Sequence, residues 1–207
     1  MDSSAHSHCT AFAGDRLVAS GDVVEVAATV KKLLDRRSDT TILVFDDETG
    51  QPVELDLRGS LADVRNRLTR DAKPGTADTP PPRGPGRPKL GVVAREITLL
   101  PRHWEWLNLQ PGGASVALRK LVEEARRVNV AKDRIRQQRE AVYRFMSAMA
   151  GNYPGFEDAA RALFAGSRER FDDFTRSWPP DVRDHARRLA APALDEPVRP
   201  DREHPPL

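Results

Sequence analysis

Six prolines and four glycines occupy ten of the nineteen positions from Lys73 to Gly91. Proline fixes φ and removes a backbone donor, and glycine weakens any regular element, so no packed helix or strand spans that run. The chain of 207 residues is thereby cut into an N-terminal third and a longer C-terminal part. With 39% hydrophobic and 31% charged side chains, at least part of the chain can bury a core. No apolar stretch approaches the ~20 residues of a membrane helix. Met1 to Ala11 has no apolar run and does not read as a signal peptide. One cysteine, Cys9, excludes an internal disulfide framework and a four-cysteine zinc site. A soluble, cytoplasmic protein is expected, with no membrane contact.

The charge is segregated. Residues 1–72 carry 9 Lys/Arg against 13 Asp/Glu, a net of −4. Residues 83–139 carry 13 against 5, a net of +8, and residues 140–207 carry 10 against 12, a net of −2. Clustered basic charge attracts a polyanion through counterion release, so the central block is where nucleic acid would bind. A solvated basic face balanced by acidic neighbours is the other reading.

The expected fold class is α+β, in six segments. Residues 1–9 read as a disordered tail and 10–70 as a small ββαββα domain. In that domain Gly14-Asp15 turns a hairpin, Asp22 caps a helix carrying Val23, Val26, Ala27, Val30, Leu33 and Leu34, and Thr41–Phe45 forms a strand. Val53, Leu55 and Leu57 alternate with Glu54 and Asp56 as a half-exposed strand should, and Ser60 caps a last helix. Residues 71–91 are a flexible basic Pro/Gly-rich linker. In 92–128, Glu96–Leu100 reads as a strand, Pro101 opens a two-turn helix with Trp104, Leu107 and Trp106 as inward candidates, Pro111-Gly-Gly113 breaks the chain, and Ser115 caps a second helix. Residues 129–191 form a helical domain of four short helices, with a bend near Val128–Val130, and 192–207 a frayed tail.

Strand, short helix, glycine turn and helix within 92–128 resemble a ribbon-helix-helix DNA-binding unit. The resemblance rests on Arg95–Leu107 and Gly113–Val122. It implies a homodimer whose paired strands enter the major groove, with the start of the second helix on a phosphate. Ile97, Leu99, Leu107, Leu118 and Leu121 would form the core, while Glu96 and Thr98, with Ala94, would face the bases. Ser115 and Val116 would offer backbone N–H groups to phosphate. The sequence departs from that pattern in offering Ala94, Glu96 and Thr98 where Arg, Lys, Asn or Gln is usual. Gly86-Arg87-Pro88-Lys89 resembles half an AT-hook, a minor-groove reader of A·T-rich DNA, with Pro85 in place of the family's first arginine. Arg83, Arg87 and Lys89 would then anchor DNA, and Arg102, Arg119, Lys120, Arg126 and Arg127 would add backbone contacts. Over its whole length the chain is also similar to a bacterial family of conserved, uncharacterised proteins. The shared phrases include Thr10–Asp15, Leu43–Asp46, Gly86–Val92, Leu99–Trp104, Pro111–Ser115 and Phe145–Gly151. That likeness brings no activity with it.

Signals for catalysis or for a cofactor are poor. His6 to Cys9 includes metal-capable side chains but falls in the expected tail without a fourth ligand. Asp46-Asp47-Glu48 reads as a solvated acidic turn, His103 as a surface residue, and His185 as a satisfied core or boundary histidine. No nucleophile and base can be paired at a defined spacing, so no enzymatic reaction, metal or cofactor is expected. The reading is a dimeric, non-enzymatic DNA-binding or transcription-regulatory protein. The alternative is a protein-interaction or dimerisation module whose basic face docks an acidic partner or the chain's own acidic N-terminal domain.

Overall fold

Gly14, at φ 58°, turns the chain back on itself and starts a three-stranded antiparallel sheet of order β2-β1-β3. The computed structural model describes residues 8–36, 41–72, 93 and 95–195, apart from the side chains of Asp71 and Ala72. The elements are β1 (His8–Ala13), β2 (Arg16–Asp22), α1 (Val23–Arg36), β3 (Ile42–Asp46), α2 (Leu61–Ala72), α3 (Pro101–Asn108), α4 (Gly113–Ala150), α5 (Phe156–Ala165), α6 (Arg168–Phe174) and α7 (Pro180–Asp195). The class is α+β, a small sheet followed mostly by helices. Asp71 and Ala72, expected in the linker, close α2, and the rest of the linker, with Arg83, Arg87 and Lys89, lies outside the described residues, as do Ala94, residues 1–7 and residues 196–207.

Both helix starts in the N-terminal third follow from capping chemistry. The Asp22 carboxylate accepts from Val24 N–H at 2.8 Å, and Ser60 and Asp63 cap reciprocally, Asp63 Oδ2 accepting from Ser60 N at 2.8 Å. The expected second strand of the later hairpin is absent. Phe45 pairs with Pro52 in an isolated bridge and Val53 N donates to Val44 O, after which the ladder stops. Pro52 sits at the non-hydrogen-bonded position of that bridge, between the Asp46 N–Gln51 O and Val53 N–Val44 O bonds, and no ladder bond follows Val53 among the described residues. Val53, Leu55 and Leu57 nevertheless pack on the core beside β1 and α1, so their alternation marks burial without a strand.

The described residues fall into two units, one drawn from 1–75 and 134–207, the other from 76–133. Within the first, successive residues of β1 and β3 face opposite ways. Cys9, Ala11 and Val44 meet Val26 and Val30 of α1 on one face. Phe12 and Phe45 meet Phe145 of α4, with Leu163, Phe171, Trp178 and Val182 in the same core. The Phe45 and Phe145 rings cross at 82° with centroids 5.1 Å apart, an edge-to-face contact. Segments 10–70 and 129–191, read from sequence as separate domains, thus share one core. A sheet apolar on both faces needs two covers, and α1 and α2 supply only one.

Gly50 shows how closely the turn after β3 meets α4. A Cβ there would stand 1.9 Å from the Ala141 carbonyl oxygen, and its φ is +66°. Arg144 Nη1 donates to Thr49 O at 3.0 Å beside it. At the C-terminus three short helices follow α4, and α7 runs on to Asp195 despite Pro192. Arg139 donates to Ala193 O at 3.3 Å, and Arg168 pairs with Asp195. The tail expected from residue 192 is therefore helical for four further residues. The bend expected near Val128–Val130 does not interrupt α4.

Candidate functional site

In the second unit, residues 95–100 precede α3 with no strand partner among the described residues. Leu100 is extended at φ −64°, ψ 148°, and Pro101 then starts the helix. Of the five expected core residues only Leu107 is buried. Leu99 and Leu118 are half-buried, Ile97 is 50% exposed and Leu121 48%. Trp104 and Trp106 are exposed as well, the second at 51%, so neither is an interior residue of the single chain. An eight-residue helix buries one narrow stripe, and Leu107 fills it.

Each expected DNA contact in the described part is at the surface. Glu96, Thr98, Arg102, Ser115, Arg119, Lys120, Arg126 and Arg127 are all exposed. Their partners differ. Arg119 folds back on the helix start, donating to Ser115 O at 3.1 Å. Arg126 pairs with Glu123 at 3.3 Å and Arg127 with Glu124 at 2.7 Å. Hydrogen bonding to Glu124 raises the Arg127 pKa. Arg102 and Lys120 have no hydrogen bond or ion pair to another described residue. Ser115 is not the cap expected of it: α4 begins two residues earlier, at Gly113, whose N–H donates to Gln110 O at 2.9 Å. Ser115 then lies in the first turn, where backbone N–H groups lack intrahelical acceptors, whereas the Val116 N–H is one residue past those groups.

The first unit holds a polar cluster that sequence reading dispersed over three segments. His8 is the first residue of β1, not part of a disordered tail, and its Nδ1 lies 2.8 Å from Asp47 Oδ2. Thr10 Oγ1 donates to the same oxygen at 3.1 Å and lies 3.0 Å from Ser20 Oγ. Arg188 Nη2 reaches Thr10 Oγ1 and Asp47 Oδ2, each at 3.3 Å, and His185 Nδ1 at 2.7 Å. His185 Nε2 stands 3.7 Å from Asp47 Oδ1, and neither atom has a hydrogen-bond partner among the described residues. The Asp47 side chain is only 13% exposed, so the acidic turn is not simply solvated at that residue.

Electrostatics around the cluster follow from burial. Enclosure between the Phe12 and Phe145 rings, with centroids 5.3 and 4.5 Å away, pushes His185 down to about 4. The Asp47 charge opposes that shift, and Arg188 and His8 add to it. Burial, with Asp46, Asp47 and Asp22 nearby, pushes the Cys9 thiol up to about 11, the opposite of a reactive thiolate. A guanidinium can only donate, so His185 Nδ1 accepts and the neutral ring carries its proton on Nε2. The described residues gather no group of three His, Cys, Asp or Glu side chains able to hold a metal. One signal for the cluster was present in the sequence: His8, Thr10 and Phe12 share a strand face, and His185 and Arg188 are three apart on a helix.

Fold and surface together define an α+β protein with one two-faced sheet domain and a second, helical unit rich in exposed apolar and basic side chains. The chain belongs to the family described as an uncharacterized protein conserved in bacteria (DUF2239), which it matches over residues 8–190. No curated protein and no solved structure matches it. No helix among the described residues is long and apolar enough to cross a membrane.

Proposed function

We propose that the protein is a non-enzymatic, dimeric DNA-binding protein of regulatory type, acting through the unit at 92–128 and the basic linker before it. The observation that carries the reading is the apolar surface of that unit. Ile97, Leu100 and Trp104 lie exposed in and just after residues 95–100, which have no strand partner among the described residues, and Leu121 and Val122 are exposed on α4. Exposed large apolar side chains in such number mark an interface, and a second copy pairing its own residues 95–100 would cover those beside that segment. Such pairing doubles the basic surface that holds Arg102, Arg119 and Lys120. Arg83, Arg87 and Lys89 would add phosphate or minor-groove contacts from the linker.

One observation favours the second reading, a dimerisation or protein-docking module without DNA. Glu123 and Glu124 neutralise Arg126 and Arg127 on the helix itself, and Glu96 sits among the residues that would face the bases. Fluorescence anisotropy with random-sequence and A·T-rich duplexes, from about 50 to 200 mM salt, separates the two. Binding with a steep negative log–log salt slope, weakened and flattened by Arg87→Ala with Lys89→Ala, is the expected result. No binding at the lowest salt would remove DNA and leave the docking reading.

A further inference from the structure

The Asp47–His185–Arg188 contact joins the turn after β3 to α7, and its chemistry depends on one proton. Phe12 of β1, Asp47 of the turn, Phe145 of α4 and Arg188 of α7 surround the ring, and Thr10 and His8 of β1 reach it through Asp47. Among them the charged or titratable groups bearing on it are Asp47, Arg188 and His8. Arg188 Nη2, 2.7 Å from Nδ1, donates into the lone pair that a second proton would occupy. Once Nδ1 is protonated, two donors and two positive charges face each other across that distance, and the contact can no longer exist. The same proton strengthens the attraction between the ring and Asp47, whose Oδ1 is 3.7 Å from Nε2.

We propose that His185, Arg188 and Asp47 form an acid-sensitive latch that fastens α7 to the sheet. With the imidazole neutral, Arg188 bridges His185, Thr10 and Asp47. Protonation expels the guanidinium, whose side chain is already half exposed, and removes the Arg188 bridge from α7 to Thr10 and Asp47, leaving the ring's own 3.7 Å attraction to Asp47 as the remaining tie at that end of the sheet. The device belongs to the first unit and does not depend on DNA binding.

Imidazole nitrogen NMR on the full chain tests it. At pH 7 His185 should be the Nε2–H tautomer, and it should remain neutral well below the ordinary histidine range. Arg188→Met should raise its titration midpoint by about one unit, whereas Arg188→Lys, which keeps a donor and a charge, should leave it near the wild-type value. Backbone amide exchange, corrected for its intrinsic pH dependence, should show protection in α7 falling below the midpoint while β1 and α1 stay protected. An Nδ1–H tautomer, or a midpoint unmoved by Arg188→Met, would overturn the proposal. So would protection lost throughout the first unit at once, which is ordinary acid unfolding. If Arg188→Met does not fold, the tautomer and the wild-type exchange pattern decide by themselves.

Discussion

Burial lowers the His185 pKa in the folded state to about 4, while the unfolded chain returns it to about 6.5. Between those values the unfolded state binds the extra proton, so stability rises with pH across that window and is lost as pH falls through it. Asp63 and Asp184, whose carboxyl pKa values are lowered by hydrogen bonds to Ser60 and Arg183, contribute stability that is lost only below the ordinary carboxylate range. The two effects separate on the pH axis. Urea unfolding should show stability falling from pH 7 to pH 4.5, by on the order of 2 kcal/mol. His185→Phe, which keeps the ring packing and removes the titration, should flatten that slope. An unchanged slope in the variant would place the titrating group elsewhere.

Among the elements, the turn after β3 is the most constrained. Asp46 Oδ1 accepts from Thr49 N at 2.8 Å and from Glu48 N at 3.1 Å, and Gly50 lies against the α4 backbone. Gly50→Ala would need left-handed backbone from an alanine and would drive its Cβ into the Ala141 carbonyl. A loss on the order of 3 kcal/mol is expected, read from the urea midpoint, because neither backbone can yield without opening the core. Gly14→Ala, also at positive φ but with nothing within 4 Å of its Cβ, should cost about 1 kcal/mol. The comparison isolates the clash from the backbone strain. Sequence shows both glycines as turn residues, and it cannot tell them apart. What distinguishes Gly50 is a helix ninety residues further along the chain.

For the whole molecule, the proposed pairing of two copies rests on side chains that one chain leaves uncovered. Ile97→Glu with Leu121→Glu would place carboxylates in that interface without touching the core of the first unit. Sedimentation velocity at micromolar concentration should find a dimer for the wild type and a monomer for the double variant, with the helical circular dichroism of the first unit retained. A wild-type monomer would overturn the dimer and, with it, the ribbon-helix-helix assignment. The DNA assay would then report on the linker alone.

Local signals carried much of the architecture. The Gly14-Asp15 turn, the caps at Asp22 and Ser60, the stripe of α1 and the break before α3 are legible because each depends on residues within one or two turns of chain. The end of pairing after Val53, the helix through Pro192 and the start of α4 at Gly113 differ from the local reading because hydrogen bonding and packing from elsewhere outweigh local preference there. Of the candidate site, exposure and basic character were legible, since they follow from residue type. Only the tertiary structure joined residues 10–70 to 129–191 on one core and gathered His8, Asp47, His185 and Arg188. Periodicity says which side of an element is buried, and the identity of what covers that side is a property of the fold as a whole.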